Sequence, residues 1–417
     1  MKSNPRDGGG LNGTPPGIPG GAGGPLPGLY VHVPFCRTKC PYCDFYSVTS
    51  GASVAGWLAA VSREAELHRG AFGTFDTLYI GGGTPSLLSE AETTELIDRL
   101  ARSFDIAREA EITIEANPDD VTAQKIATWR DLGINRVSLG VESFDDVELR
   151  FLRRRHDAAQ ARAAIALLAD AGFPGLGIDL IYGFPGQSIE SWHRSMRRAL
   201  DFSPSHLSCY LMTIEPGTEF GRMLRAGSFE MPEEEAQRAY FMKTSEFLRE
   251  NEYIHYEVSN FARDERSLSR HNGKYWRHVP YLGLGPSAHS FDRGKRWWNV
   301  HSVERYCSLL AAGESPAEDS ETLSDDELAF EALYLGFRTR DGVPLEALQR
   351  YSGWRGSLDA LAAESLVTVA SGRAVPTEEG FCLADRLAIV FAERGGEARR
   401  PGVNPDACRG AGPGLTP

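Results

Sequence analysis

The feature that most limits what this chain can fold into is a repeated alternation of two patterns. Short β-rich runs fall at Leu29–Val33, Thr77–Ile80, Glu111–Glu115, Arg136–Val141, Gly177–Ile181 and His206–Ile214. Between them lie amphipathic stretches at Val54–Leu67, Glu90–Ser103, Ala123–Leu132, Ala158–Ala171 and Ser188–Leu200. A strand followed by a helix, repeated about six times, calls for a parallel sheet, because each crossover needs a connection of helix length. Several runs stop at Gly/Pro turns: Gly81–Pro85, Asn117–Pro118 and Gly183–Pro185. In α/β folds of this kind the loops after the C-terminal strand ends carry the functional site.

Residues 1–28 hold ten Gly and six Pro and predict a disordered leader; residues 394–417 have the same character. Past residue 320 the texture changes. Ser324 and Glu327 form a capping box before an apolar helix at Leu328–Arg338. Further on come Leu358–Ala363, a small hairpin (Leu366–Ala370, a Ser371-Gly372 turn, Ala374–Pro376) and a final helix from about Glu378 to Phe391. Helices plus a small hairpin predict a winged-helix-like α+β domain at 320–393, preceded by a connecting segment at 263–319. Residues 314–392 hold 15 acidic and 6 basic side chains, which argues against a DNA-reading role. The whole chain has 57 acidic and 44 basic residues, a net charge of −13. That balance disfavours nucleic acid and anionic membranes as partners. No apolar run approaches the roughly 20 residues of a membrane span, and the N-terminus lacks the apolar core of a secretory signal.

Seven cysteines include three within eight residues, Cys36-x-x-x-Cys40-x-x-Cys43. The odd count and the crowding argue against a disulfide framework and for a reducing cytoplasm. Three thiolates on one loop can meet at a soft metal centre. Structural zinc wants four ligands, usually as two separated pairs, and Cys209, Cys307, Cys382 and Cys408 are scattered. Three cysteines on a 4Fe–4S cluster leave one iron open.

The stretch Tyr30-x-His32-x-Pro34-Phe35-Cys36-x-x-x-Cys40-Pro41-Tyr42-Cys43-Asp44-Phe45 resembles the start of a radical S-adenosylmethionine (radical SAM) protein. It is closest in pattern to the oxygen-independent coproporphyrinogen III oxidase-like branch. The resemblance implies an α/β fold, a partial (β/α)6 TIM-like barrel over 29–262, with a 4Fe–4S cluster on Cys36, Cys40 and Cys43. It also implies S-adenosylmethionine at the open iron, and an electron donor protein. Gly82, Gly83 and Thr84, after the second strand, resemble the family's contact to the methionyl amino group. Glu115 matches an acidic residue near the cofactor. Glu142 and Arg154, twelve residues apart, match two further cofactor positions. The family more often has Gln at the first; Glu keeps the acceptor oxygens and loses the amide donor. Asp179 sits between apolar neighbours in a strand, so it needs a partner or a cavity. Tyr30 and Tyr42 are open to two readings, adenine or cluster contact and core packing.

Two features point within the branch. The decarboxylating dehydrogenase carries a further Cys two positions after the third cluster Cys, where this chain has Phe45. His271-Asn272-Gly273-Lys274-Tyr275-Trp276 is similar to the HNxxYW signature of HemW-type heme chaperones. That resemblance implies heme binding by His271, Tyr275 and Trp276, with transfer to an acceptor protein. The alternatives are the dehydrogenase, which acts on porphyrinogen, and a zinc-stabilised binding module.

Overall fold

The computed structural model describes residues 24–393. The expectations of disorder at 1–23 and 394–417 concern residues outside that range. Gly28, expected to close the leader, is already the first residue of β1.

The six expected strands are present as β1 (Gly28–Val33), β2 (Phe75–Gly82), β3 (Ile106–Ala116), β4 (Arg136–Glu142), β5 (Gly175–Tyr182) and β6 (His206–Leu211). They pair in chain order and all parallel. The crossovers carry α1 (Val54–Leu67), α2 (Glu90–Ser103), α3 (Ala123–Asp131), α4 (Asp146–Phe151), α5 (Ala158–Asp170) and α6 (Ile189–Leu200). Polar caps fix where these helices start: Ser89 with Glu92 on α2 and Asp157 with Gln160 on α5 form capping boxes.

The sheet is wider than the sequence predicts. Beyond β6, which leads through α7 (Glu219–Arg225) and α8 (Glu234–Glu250), lie β7 (Ile254–Glu257) and β8 (Asn260–Ala262), with β8 antiparallel to β6. On the other edge, after α9 (Asn272–Trp276), β9 (Tyr281–Leu284) runs parallel to β1. An antiparallel meander continues it through β10 (His289–Asp292) and β11 (Lys295–Asn299), then, past α10 (Val303–Ala311), β12 (Ala317–Thr322). The result is one open sheet of twelve strands. The segment expected as a mere connection thus builds an edge of the sheet.

Each central strand alternates between two environments, as the pleat requires. Val31, Leu78, Ile80, Ile114, Val137, Leu139, Ile178, Leu180 and Leu207 are fully buried and join Trp57, Leu96, Trp129, Ile165 and Trp192 of the helices in one core. The intervening positions are polar: Tyr30 and His32, Tyr79, Thr113 and Glu115, Ser138, Asp179, Ser208 and Tyr210. Registers align them across the sheet: Tyr30 opposite Tyr79, Glu115 opposite Ser138, Asp179 opposite Ser208.

The C-terminal part follows the expected pattern, with a short strand and a short helix added and the final helix broken. Ser324 and Glu327 cap α11 (Asp325–Gly336). A short strand β13 (Val343–Pro344), α12 (Leu345–Leu348) and α13 (Trp354–Ala363) lead to the hairpin β14 (Val367–Ala370) and β15 (Arg373–Pro376). The hairpin turn has positive φ at both Ser371 and Gly372, which suits the right-handed twist of the strands. The final helix is not continuous. It breaks at Leu383 into α14 (Glu378–Cys382) and α15 (Ala384–Glu393), because α14 packs on α8 while α15 packs on α11 and α13.

One buried carboxyl ties the late edge to the first helix. Glu64 of α1 is 1% exposed. Its Oε2 accepts from Tyr306 Oη at 2.5 Å and Gly285 N at 2.9 Å, and its Oε1 from Asn299 Nδ2 at 2.6 Å. Glu64→Ala leaves Tyr306 Oη and Gly285 N without that acceptor, while Asn299 Nδ2 keeps its bond to Gly285 O at 2.9 Å. At about 1–3 kcal/mol per orphaned group, unfolding stability should drop by at least about 2 kcal/mol in denaturant titration. A loss under about 1 kcal/mol would contradict this role.

Candidate cofactor site at the strand ends

The polar face of the sheet borders a cavity of about 610 Å3. All the expected site residues except His271 and Trp276 line it.

The cysteine loop leaves β1 and is pinned at several points. Cys36 N donates to Val48 O and Val48 N to Pro34 O, and Cys43 N turns back on Cys40 O. His32 Nε2 donates to Tyr46 O at 2.8 Å, and its Nδ1 accepts from Tyr30 Oη at 3.0 Å. Burial holds His32 down to about 4, so it is a neutral strut behind the loop. Cys36, Cys40 and Cys43 are free thiols. Cys36 Sγ shares a hydrogen bond with Thr84 Oγ1 at 3.3 Å, and Arg154 Nη1 reaches Cys40 Sγ at 3.5 Å. Burial, then the neighbouring Cys40, push the Cys43 thiol up to about 12. A soft metal centre binding there must therefore displace a proton. Among the described residues no group of three or more His, Cys, Asp or Glu side chains is gathered closely enough to hold a single metal ion.

The glycine turn after β2 is set by crowding. Gly82 has φ of +109°, and a Cβ there would lie 2.6 Å from His32 Nδ1; one at Gly83 would lie 2.7 Å from Phe35 O. Only glycine lets β2 end this close to the cysteine loop. Gly82 N donates to Glu115 Oε2 at 3.0 Å, and Tyr79 Oη to Glu115 Oε1 at 2.8 Å. Burial nevertheless pushes Glu115 up to about 7, with Asp179 and Glu142 adding to the rise.

Glu142 follows a register shift in β4 and has φ of +63°. A left-handed non-glycine residue costs about 1–2 kcal/mol, and here the bulge turns the carboxyl into the cavity. Its Oε1 lies 3.6 Å from Arg154 Nη1. Burial raises it to about 7 while Arg154 opposes the rise. Arg154 also donates through Nη2 to Asn117 Oδ1 at 2.6 Å and Gly140 O at 2.8 Å. Its Nε is buried without a partner. The three successive arginines do not share one solvated face. Arg153, at φ of +52°, pairs with Glu219 outside, and Arg155 pairs with Asp119 and Asp120. Asp179 accepts from Ser138 Oγ at 2.8 Å, while its Oδ1 is buried with no hydrogen-bond partner. Burial raises its pKa.

His271 stands elsewhere. It is fully buried beside Thr77, near the start of β2, at the end of the strands away from the cysteines. Thr77 Oγ1 takes its Nδ1 and Tyr275 Oη its Nε2, each at 2.8 Å, and its ring stacks on Tyr79. Burial, then the Lys274 charge, hold it down to about 3. An imidazole with both nitrogens engaged is not presented to a ligand in this arrangement. Trp276 is buried off the cavity, because α9 packs on α11. Of the HNxxYW side chains singled out, only Tyr275 reaches the cavity wall.

Comparison with known proteins agrees with the fold. The sequence matches the Radical SAM superfamily over residues 30–199 and the HemN C-terminal domain over residues 323–383. A heme chaperone HemW from Mycobacterium tuberculosis (strain H37Rv) is 36% identical over 384 residues, 90% of this chain and 97% of that protein. HemW from Escherichia coli K12 is 36% identical over 377 residues, 87% and 97% respectively. The chain belongs to the HemW family. The solved coproporphyrinogen III oxidase (HemN) of Escherichia coli superposes with a TM-score of 0.75 at 23% identity, covering 88% of this chain and 90% of that one. That likeness shows the shared radical SAM fold.

Several cavity residues of this HemW-family chain escape motif reading: Tyr79, Ser138, Tyr210 and His301. His289 ends the stretch Gly283–His289, which resembles the family, and Asn117 stands in a strand-end turn. A signal existed for Tyr79, Ser138 and Tyr210. Each stands at an alternate position of a strand whose other positions are aliphatic.

Glu64, Glu115, Glu142 and Glu257 are all raised by burial to about 7. Below the unfolded value near 4.5 both states are protonated and nothing is lost. As pH climbs from there to about 7, the unfolded chain ionises first and stability falls. Buried histidines such as His32, His255 and His271, held down to about 3–4, act oppositely as pH falls below their unfolded value near 6.5. The carboxyl share is therefore read by difference: Glu257→Gln should gain more melting temperature over wild type at pH 8 than at pH 5.5. Calorimetry showing the opposite trend would contradict these shifts.

Proposed function

We propose that this protein is a heme chaperone of the radical SAM type. It holds a 4Fe–4S cluster on Cys36, Cys40 and Cys43, S-adenosylmethionine beside it, and heme that it passes to an acceptor protein. The observation that carries the reading is a single cavity lined by three free thiols, three carboxyls and one guanidinium, in a chain whose relatives over nearly their full length are HemW proteins.

The donor set fits these groups. Three thiolates satisfy all but one iron of the cluster, and Thr84 and Arg154 offer hydrogen bonds to two of the sulfurs. Such outer contacts tune a cluster's charge and potential. Glu115, Glu142 and Asp179 give the cavity the negative character that an ammonium and a sulfonium require. The arrival of those cations draws the raised carboxyls toward ionisation and releases protons. The unsatisfied Arg154 Nε and the fork beside it suit the methionyl carboxylate. When bound, the cluster and S-adenosylmethionine together supply one-electron chemistry, fed by an electron donor protein. Phe45, half-exposed on the cavity wall, places an apolar ring where the decarboxylating dehydrogenase has a thiol. The six described cysteines are all free, in keeping with a reducing cytoplasm, and no described helix is long and apolar enough to cross a membrane.

Anaerobic reconstitution with iron and sulfide tests the cluster. Brown protein with broad visible absorption is expected, and any one of Cys36→Ala, Cys40→Ala or Cys43→Ala should abolish it. Hemin titration should give a saturable Soret change, while coproporphyrinogen III with S-adenosylmethionine and a reductant should yield no protoporphyrinogen. Porphyrinogen turnover, or hemin binding that never saturates, overturns the chaperone reading.

A further inference from the structure

The burial of His271 leaves open which group would meet the iron of a bound heme. Three other histidines, His32, His289 and His301, line the cavity. His32 has both ring nitrogens engaged. His289, on β10, makes no side-chain hydrogen bond: its Nδ1 is buried without a partner, and its ring stacks on Trp298 of β11 at 5.8 Å. His301, just past β11, is exposed. Its Nδ1 is engaged with Ser287 Oγ at 3.3 Å and its ring meets Tyr46 edge-on at 6.1 Å.

That contact orients His301 as metal-binding imidazoles are usually oriented. In the tautomer whose Nδ1–H donates to Ser287 Oγ, that nitrogen is fixed by a neighbour and Nε2 keeps its lone pair. His289 lines the same cavity, and burial pushes it down to about 4, so it is neutral at pH 7. A neutral imidazole is the ligating form. Trp298 stacks on His289, Tyr46 meets His301, and Tyr46 and Phe45 line the same cavity, offering flat apolar surfaces of the kind that hold a porphyrin.

We propose that an iron porphyrin docks on this wall with its iron bound by His301 Nε2 and with His289 as the adjacent second imidazole. His271 then acts from behind the wall as a positioning residue, fixing Tyr275 through its hydroxyl. The proposal rests on the heme-binding reading above and assigns its ligand.

The test uses full-length protein with a reconstituted cluster, titrated with hemin and, separately, with metal-free protoporphyrin IX. The variants are His301→Ala, His289→Phe (which keeps an aromatic ring on Trp298), the double variant, and His271→Ala. His301→Ala and the double variant should weaken hemin binding about tenfold or more and shift the Soret band and the iron spin signals. They should leave protoporphyrin IX affinity within about twofold. His271→Ala should melt at a lower temperature yet keep the wild-type Soret position. If wild type fails to bind hemin saturably, the heme reading itself falls. Should wild type bind and the double variant match it, the ligand assignment is wrong. Equal losses for hemin and protoporphyrin IX also overturn it, since the pair would then only shape the pocket. A Soret shift in His271→Ala alone would move the ligand to His271.

Discussion

Everything in this structure depends on the two unlike faces of its six parallel strands. A parallel sheet covered on both sides is normally apolar on both. Here one face meets helices and is filled by aliphatic side chains, while the other borders a cavity and carries Tyr30, His32, Tyr79, Glu115, Ser138, Asp179 and Tyr210. Buried polar groups are tolerated only with partners. The strands are therefore locked by mutual satisfaction, Tyr79 to Glu115 and Ser138 to Asp179. Arg154 Nε, Asp179 Oδ1 and Thr113 Oγ1 on this face are buried without a hydrogen-bond partner.

The cysteine loop is held by the same layer. His32 spends one nitrogen on Tyr30 within the sheet and the other on Tyr46 in the loop. The glycine turn of β2 exists because the His32 ring and the Phe35 carbonyl stand where side chains would be. Strand, loop and turn are thus one packed unit, and the three thiols hang from its outer rim.

Much of this was legible in the residues. Periodicity placed six of the seven parallel strands, all but β9, and the five helices expected between them. The Cys spacing and the Gly/Pro turns placed the site at the strand ends. Asp179 announced itself as a carboxyl inside an aliphatic run. What escaped was set by tertiary context. β12, Ala317–Thr322, is nearly all exposed and reads Ala-Glu-Asp-Ser-Glu-Thr; nothing in it signals a strand, and only pairing to β11 makes it one. His271 belongs to a motif similar to a ligand signature, yet motif spacing carries no information about depth, and depth ties it to Thr77 and Tyr275. His289 closes the stretch Gly283–His289, which resembles the family and points to the same rim, whereas His301 sits in no pattern that a linear reading would single out.

The placement of β9 beside β1 has a consequence for the order of events as the chain is made. Strand β1 and the cysteine loop emerge first, yet the loop's remaining supports come from far downstream. Gly285 packs against the His32 carbonyl, and Val303 N donates to Tyr46 Oη at 2.8 Å. Translation delivers residues at about 5–20 per second, so these supports arrive many seconds after the thiols. Until then the first strand has an unpaired edge and the thiols lack their final scaffold. The scaffold of the cysteine loop is thereby completed only when the late meander has closed over the first strand.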